Sequence, residues 1–188
     1  MLQSGDPAPS FDLPRDGGSN VRSADLLGSR YLLYFYPRDD TPGCTREACA
    51  FRDRLPKFER IGVPVFGVSA DTVRAHDRFA LKHGLGFPLL ADPDHALIEA
   101  CGVWVEKSLY GRKYFGIQRS SFLVGADGRI EMAWPKVSPE THPDEVLAWL
   151  AGSVDAGRVT TRRKAAAPAK AAPRKTTSTR KPTRARGS

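Results

Sequence analysis

The feature that most constrains the fold is an uninterrupted run of six apolar and aromatic residues. The run reads Tyr-Leu-Leu-Tyr-Phe-Tyr over residues 31–36, and Pro37 ends it. Because no polar residue alternates within it, the run predicts a strand that is covered on both faces. A strand of this kind requires a sheet with helices packed on either side, so the chain is expected to be an α/β protein.

The rest of the first 151 residues alternates between strand and helix patterns. Further strands are predicted over 63–69, 87–90, 121–124 and 129–134, and helices over about 43–61, 72–84, 93–101 and 144–151. Asp127-Gly128 lies between the last two strands and is a strong hairpin signal. We therefore predict a central mixed β-sheet flanked by helices and closed by an antiparallel hairpin, after some 25 residues of loop with short strand pieces.

The composition changes abruptly after Gly152. Of the chain's 29 Lys and Arg residues, 11 lie between Arg158 and Ser188, where there is no Asp or Glu. The preceding part then carries 18 basic and 21 acidic residues, a net charge of −3. Since the tail lacks large apolar side chains, it cannot offset the entropy of ordering. We predict a folded domain over 1–152 and a disordered Ala/Lys/Arg/Pro-rich tail over 153–188.

Compartment and membrane association follow from what the sequence lacks. No apolar run approaches the ~20 residues of a membrane span. The first six residues show no basic region followed by an apolar core, so we expect no signal peptide, no membrane association and a cytoplasmic location. In a reducing compartment, three cysteines are either packing residues or working thiols, not a disulfide framework.

The environment of Cys44 favours a working thiol. Thr41 suits a helix N-cap and Pro42 the first helical position, which places Cys44 in the first turn of the predicted helix. Unpaired backbone N–H groups and the helix dipole there stabilise an anion, and the thiolate is the nucleophilic form of cysteine. The alternatives are a small buried hydrophobe or a metal ligand, but no zinc-type spacing is present, and neither is a Cys-x-x-Cys exchange motif.

Several segments resemble the peroxiredoxins. Tyr34-Phe35-Tyr36-Pro37 and Thr41-Pro42-Gly43-Cys44-Thr45 are similar to their peroxidatic motif, and Glu47-Ala48-Cys49 followed by Phe51-Arg52-Asp53 resembles the PrxQ subfamily, also called bacterioferritin comigratory protein. The resemblance covers about residues 3–151. It implies a thioredoxin-like fold, no metal or other cofactor, and reduction of hydrogen peroxide and organic hydroperoxides with thioredoxin or a similar dithiol as reductant.

The resemblance also implies roles for individual residues. Cys44 would be the peroxidatic thiol and Cys49 the resolving thiol. Thr41 would offer its hydroxyl to the thiolate and the peroxide, and Pro37 would shield the site from water. Without the resemblance, Thr41 would be interpreted as an N-cap only.

Two charged residues complete the implied site. Arg119 would hold the thiolate and polarise the peroxide, and Glu47 would orient an arginine. The chemistry is consistent, because cleavage of an O–O bond places negative charge on the leaving oxygen. The alternative for Arg119 is a solvated side chain that precedes a strand.

The spacing of Cys44 and Cys49 adds a geometric constraint. In an ideal helix, residues five apart have Cα atoms ~8.6 Å apart on sides ~140° apart. A disulfide needs less than ~7 Å between Cα atoms. The helix must therefore unwind locally before the two sulfurs can bond.

The remaining cysteine and the histidines carry no predicted chemistry. Cys101 follows a helical stretch and is interpreted as a buried packing residue. The four histidines, His76, His83, His95 and His142, show no catalytic or metal spacing and are expected mostly on the surface.

The basic tail suggests a second type of partner. A segment over 158–188 with 11 positive charges is expected to bind DNA or RNA non-specifically through phosphates, and could place the protein near the nucleoid. The alternative is a solubilising tail without a partner. We expect a monomeric peroxidase. The alternative functions are a nucleic-acid-associated protein in which the tail has the main role, and a thiol–disulfide oxidoreductase.

Overall fold

A computed structural model describes residues 1–164 of the 188-residue chain. Its strands are β1 (Asp12–Pro14), β2 (Asn20–Arg22), β3 (Tyr31–Phe35), β4 (Val65–Ser69), β5 (Leu89–Ala91), β6 (Trp104–Leu109), β7 (Arg112–Ile117), β8 (Ser120–Val124) and β9 (Ile130–Trp134). Its helices are α1 (Pro42–Ile61), α2 (Val73–His83), α3 (Ala96–Ala100) and α4 (His142–Lys164), with a short 3₁₀ turn over Ser23–Leu26.

Five strands form the central sheet in the order β5-β4-β3-β8-β9. β3, β4 and β5 are parallel to one another, whereas β8 pairs antiparallel with β3 and with β9. The sheet is therefore mixed and closed by the β8–β9 hairpin around Asp127-Gly128, as the sequence predicted. β3, the buried run, lies at its centre.

The two faces of the sheet are each covered by a separate apolar cluster. β3 divides its side chains between them, with Leu33 and Phe35 on one face and Leu32 and Tyr34 on the other. The second cluster also holds the buried apolar residues of α1, α2 and α4, whereas α3 contributes to the first. Coverage on both faces is what the lack of polar alternation in this run required.

Helix α1 carries the Cys44 motif away from the carboxyl end of β3. It begins at Pro42 and ends at Ile61. Its C-cap Gly62 adopts the left-handed conformation (φ 75°) and donates its N–H to carbonyl oxygens of the last turn. The predicted helix over about 43–61 is confirmed.

The structure differs from the sequence-based prediction in three places. Residues 104–117 form the β6–β7 hairpin, which the sequence did not predict, because its tip, with Tyr110 at φ 50° and Gly111 at φ 78°, lacks the usual Asn-Gly or Asp-Gly signal. The helix predicted over about 93–101 is shorter, Ala96–Ala100. Helix α4 continues to Lys164, past the predicted domain boundary.

The chain divides into two units, Met1–Ala151 and Gly152–Ser188. Helix α4 is assigned through Lys164, and the disorder that the sequence predicts from residue 153 stays a prediction. The disorder predicted for residues 165–188 concerns positions outside the described residues. Between residues 1 and 164, no helix combines the length and the hydrophobicity needed to cross a membrane.

Candidate active site

The site is built around the start of α1. Thr41 is its N-cap with extended backbone (φ −85°, ψ 149°), and Pro42 occupies the first helical position. The N–H of Thr45 donates to the Thr41 carbonyl oxygen at 2.8 Å, which closes the first turn. Cys44 therefore lies within this turn, as predicted, where backbone N–H groups favour an anion. Its side chain is only 2% exposed.

Arg119 brings a positive charge to the sulfur. It lies between β7 and β8, in the connection that returns the chain to the central sheet beside β3. Its Nη2 donates to Cys44 Sγ at 3.2 Å, across 75 positions of sequence. The side chain is 15% exposed, so the alternative of a solvated arginine does not describe it. The fold thus pairs a guanidinium with the thiol.

Glu47 fixes the guanidinium from the other side. It lies on α1 one turn after Cys44, it is fully buried, and its Oε2 accepts a hydrogen bond from Arg119 Nη1. Burial raises the pKa of the Glu47 carboxyl to about 7, although the charge of Arg119 acts in the opposite direction. Burial lowers the pKa of Arg119, but the charges of Glu47 and Cys44 outweigh it, so this pKa is raised. The guanidinium stays charged and is held by two groups of α1.

Two further residues lie near Glu47 and Arg119, and the sequence did not predict a role in the site for either of them. The ring of Tyr34 stacks on Phe51 at 4.6 Å between centroids, and burial followed by the charge of Glu47 raises the Tyr34 pKa well above its usual value. His142 Nε2 lies 2.6 Å from Ser121 Oγ, and burial followed by the charge of Arg119 lowers the His142 pKa to about 4. Both groups are therefore neutral near pH 7.

Thr41 and Pro37 are at the site, but their geometry is less specific. Thr41 Oγ1 donates to the Arg38 carbonyl oxygen at 3.1 Å, and it makes no side-chain cap to the helix. Pro37 lies two residues after the end of β3 and is exposed. The hydroxyl donation and the shielding implied for these two residues stay predictions.

Cys49 shares α1 with Cys44, and both thiols are free. Cys49 is partly exposed, whereas Cys44 is buried. The helix is continuous over Pro42–Ile61, so the two residues have the helical spacing that disfavours a disulfide in this conformation.

The structure corrects the interpretation of two histidines. His76 and His142 are both fully buried, not on the surface. Each is accommodated by a polar partner, Asp39 for His76 and Ser121 for His142, which a sequence pattern cannot reveal. Cys101 is buried in an apolar cluster, as expected. Among residues 1–164, no group of three or more His, Cys, Asp or Glu side chains could hold a metal ion.

The geometry suits nucleophilic chemistry by a thiolate. A cation and the first turn of a helix surround one sulfur, and both stabilise negative charge on it and on an atom that it attacks. Glu47 prevents the guanidinium from turning away.

Comparison with known proteins agrees with this arrangement. Residues 4–133 match the model of the AhpC/TSA family. The chain is 47% identical over 149 residues to Peroxiredoxin Bcp of Escherichia coli (strain K12), a match that covers 79% of this chain and 96% of that protein.

Solved structures are similar to this chain over about the same part of its length. Xanthomonas campestris Peroxiredoxin Q has a TM-score of 0.72 at 42% identity, covering 76% of this chain and 90% of that one. A structure of the Xanthomonas campestris bacterioferritin comigratory protein, studied for its alkyl peroxide reduction activity, has a TM-score of 0.73 at 41% identity and covers 76% and 91%. The fold is thus the thioredoxin-like fold of these proteins.

Proposed function

Because the chain belongs to the AhpC/TSA family and is a peroxiredoxin, a thiol-dependent peroxidase, we propose that Cys44 is the thiol that attacks the peroxide. The observation that carries this assignment is the contact of Arg119 Nη2 with Cys44 Sγ at 3.2 Å. Neither of the other two cysteines has a described hydrogen bond from a cationic side chain to its sulfur. The position of Cys44 in the first turn of α1 also supports the assignment, because backbone N–H groups at a helix start favour an anion.

In the first step, the Cys44 thiolate attacks one oxygen of the peroxide, ROOH. The S–O bond forms as the O–O bond breaks, the sulfur is oxidised to sulfenic acid, and the leaving RO⁻ takes a proton to give ROH. Arg119 and the first-turn N–H groups stabilise the charge as it moves to the leaving oxygen. Thr41 would donate its hydroxyl to the bound peroxide after turning from the Arg38 carbonyl, and Pro37 would limit the access of water.

In the second step, the thiol of Cys49 attacks the sulfenic sulfur. A Cys44–Cys49 disulfide forms and water leaves. The start of α1 must unwind for this, since the helix holds the two residues beyond disulfide distance. A dithiol such as thioredoxin then reduces the disulfide and is itself oxidised. Since both cysteines belong to one chain, the proposed cycle needs no second subunit, and we propose that this two-cysteine enzyme acts as a monomer.

The substrates are proposed to include hydrogen peroxide and organic hydroperoxides. The Xanthomonas campestris relative is studied for alkyl peroxide reduction, and this chain matches its structure with a TM-score of 0.73. A thiol–disulfide oxidoreductase is the second candidate function. The missing Cys-x-x-Cys motif and the cation at Cys44 both favour the peroxidase.

A coupled assay tests the cycle. Peroxide consumption is measured with thioredoxin, thioredoxin reductase and NADPH for the wild type and for Cys49→Ser. We expect the variant to react once with peroxide and to lose turnover, with sulfenic or sulfinic acid on Cys44 detected by mass spectrometry. Unchanged turnover in Cys49→Ser would show that another thiol resolves Cys44, and the proposed intramolecular disulfide would be wrong.

The basic tail is proposed to hold this peroxidase near nucleic acid in the cytoplasm. The support is its sequence: 11 Lys and Arg residues and no acidic residue over 158–188, against a net charge of −3 in the rest of the chain. Binding would be non-specific and would weaken steeply as salt rises. Gel-shift titrations of the full chain and of a chain ending at Gly152, at two salt concentrations, test it. Equal affinity of the two proteins for DNA would refute it.

A further inference from the structure

A second buried polar cluster lies at the loop that leads into α1. The Asp39 carboxylate accepts a hydrogen bond from Tyr36 Oη to Oδ1 at 2.7 Å and one from His76 Nδ1 to Oδ2 at 2.8 Å. The His76 side chain is fully buried and that of Asp39 is 7% exposed. None of these side chains has a role in the cycle described above.

The backbone of Asp39 is fixed as well. Its N–H donates to Asp71 Oδ2 at 2.8 Å, and the same oxygen accepts from Ser69 Oγ at 2.8 Å. Tyr36 follows β3, Ser69 ends β4 and His76 lies on α2. Asp39 is therefore held by residues at or next to the ends of β3 and β4 and by a residue of α2.

Asp39 is well placed to control the start of α1. It lies two residues before the N-cap Thr41 and five before Cys44. The neighbouring Asp40 also contacts α2, through Lys82 at 2.9 Å and His83 at 3.0 Å, but its side chain is 47% exposed. Exposed ion pairs of this kind contribute little, whereas a buried, charge-assisted hydrogen bond contributes more.

We propose that the Asp39–His76 pair, with Tyr36 as its second donor, is a latch that holds the loop and the first turn of α1 in the peroxide-reactive conformation. The latch must open before Cys44 can reach Cys49. His76 and Asp39 are thus positioning residues, which act through the loop and do not touch the peroxide. This inference rests on the proposed Cys44–Cys49 disulfide.

The physical reason is the cost of an unpaired buried carboxylate. Without its donor from His76, the Asp39 carboxylate would be desolvated and only partly compensated, and moving the loop into water would relieve this. The peroxide-reactive conformation would lose stability relative to the conformation in which the start of α1 is unwound, while β3 and β8 would keep their pairing. Loss of the latch should therefore slow the peroxide step and accelerate disulfide formation.

Three variants separate the latch from general packing. His76→Phe removes the N–H donor but keeps a ring of similar volume. His76→Asn shortens the side chain but retains an N–H donor near the position of Nδ1, so it should rescue the latch. Asp40→Asn removes the exposed ion pairs of the same loop with α2, and Asn tolerates the positive φ of 57° at this position.

The first measurement is amide hydrogen exchange in the reduced full-length protein. In His76→Phe we expect amides 45–49 to exchange roughly tenfold faster, as for loss of one charge-assisted hydrogen bond. Amides of β3 and β8 should keep their protection. His76→Asn and Asp40→Asn should stay within about twofold of the wild type.

The second measurement is rapid quenching with alkylation and mass spectrometry after one equivalent of peroxide. For His76→Phe we expect sulfenic acid to form more slowly and to convert to disulfide roughly tenfold faster, with less sulfinic acid at high peroxide. A defect that only damages the structure would slow both steps.

Failure of the proposed disulfide and failure of the latch give different experimental results. If the wild type forms no Cys44–Cys49 disulfide, the proposed resolving step is wrong, whatever the exchange data show. If His76→Phe leaves exchange of amides 45–49 unchanged, or exposes β3 and β8 equally, the latch is refuted. Should His76→Phe fail to fold, Tyr36→Phe removes the other donor to Asp39 and is judged by the same exchange criterion.

Discussion

Cys44 and Cys101 are almost equally buried, at 2% and 1% exposure, yet they lie in opposite kinds of surroundings. Cys44 lies on the α1 face of the sheet, in the first turn of a helix, with a guanidinium on its sulfur. Cys101 lies on the other face at the carboxyl end of α3, among apolar side chains. Burial, followed by the charge of Asp92, raises the pKa of the Cys101 thiol to about 12.

The difference shows that burial does not by itself decide whether a thiol reacts. Cys44 has a guanidinium and the backbone N–H groups of a helix start beside its sulfur, and both favour an anion. At Cys101, burial and the charge of Asp92 outweigh the opposing charge of the N-terminus, so the thiol stays neutral and acts as a packing residue. Substitutions at the two sites should therefore have different consequences.

The largest contrast is expected in turnover. Cys44→Ser should abolish peroxide reduction, because a hydroxyl is not appreciably ionised near pH 7 and is a poor nucleophile. Cys101→Ala should keep turnover within about twofold of the wild type. Both are measured in the coupled thioredoxin assay, and activity that survives in Cys44→Ser would remove the distinction between the two thiols.

The contribution of the cation can be isolated next. Arg119→Ala should slow the reaction of the reduced enzyme with peroxide roughly 10²-fold, as for loss of one preorganised charge-stabilising donor. Stopped-flow kinetics of this step, followed separately from reduction by thioredoxin, provide the measurement. Arg22→Ala is the control, since Arg22 forms an exposed ion pair with Asp12. A change of only a few-fold for Arg119→Ala would mean that the helix start alone stabilises the thiolate.

A smaller effect is expected from the buried carboxylate behind Arg119. The pKa of Glu47 is about 7 in the folded protein and about 4.5 as an unperturbed group, so the folded state retains the proton over this interval. The free energy of unfolding should therefore fall as pH rises from about 4.5 to about 7, by on the order of 3 kcal/mol for this group.

Glu47→Gln isolates that contribution, because the variant lacks the titrating group but keeps His142. The difference in unfolding free energy, Glu47→Gln minus wild type, should increase over the same pH interval. Urea titrations at pH 4.5, 5.5, 6.5 and 7.5 measure it. A difference that is constant with pH would show that Glu47 is ionised throughout, and that its pair with Arg119 outweighs burial.

The smallest effects are expected in stability at a single pH. Cys101→Ser should cost about 1–2 kcal/mol, because it buries a hydroxyl among apolar side chains. Cys44→Ser should cost less than Cys101→Ser, because Arg119 can donate to the new hydroxyl. Thermal or urea unfolding of the two variants compares them. The reverse order would contradict the contrast between a polar and an apolar site.

Local sequence patterns correctly predicted the elements whose structure depends on neighbouring residues. The six-residue buried run, Asp127-Gly128 and the Thr41-Pro42 start predicted the central strand, the closing hairpin and helix α1 close to their observed bounds. Local patterns failed for the β6–β7 hairpin, whose tip has an unusual turn, and for the end of α4. They also failed for His76 and His142, since burial depends on partners distant in sequence.

The sequence by itself determined that Cys44 opens a helix after a buried strand and shares that helix with Cys49, because turn and capping preferences depend on neighbouring residues. Its resemblance to a known family supplied Arg119 and Glu47 as candidates. Only the tertiary structure decided that Arg119 reaches the Cys44 sulfur across 75 positions and that Glu47 is buried against Arg119. It also decided that His76 forms a hydrogen bond with Asp39. The reason is physical: a hydrogen bond needs donor and acceptor about 3 Å apart, and only packing of the sheet and helices brings distant residues that close.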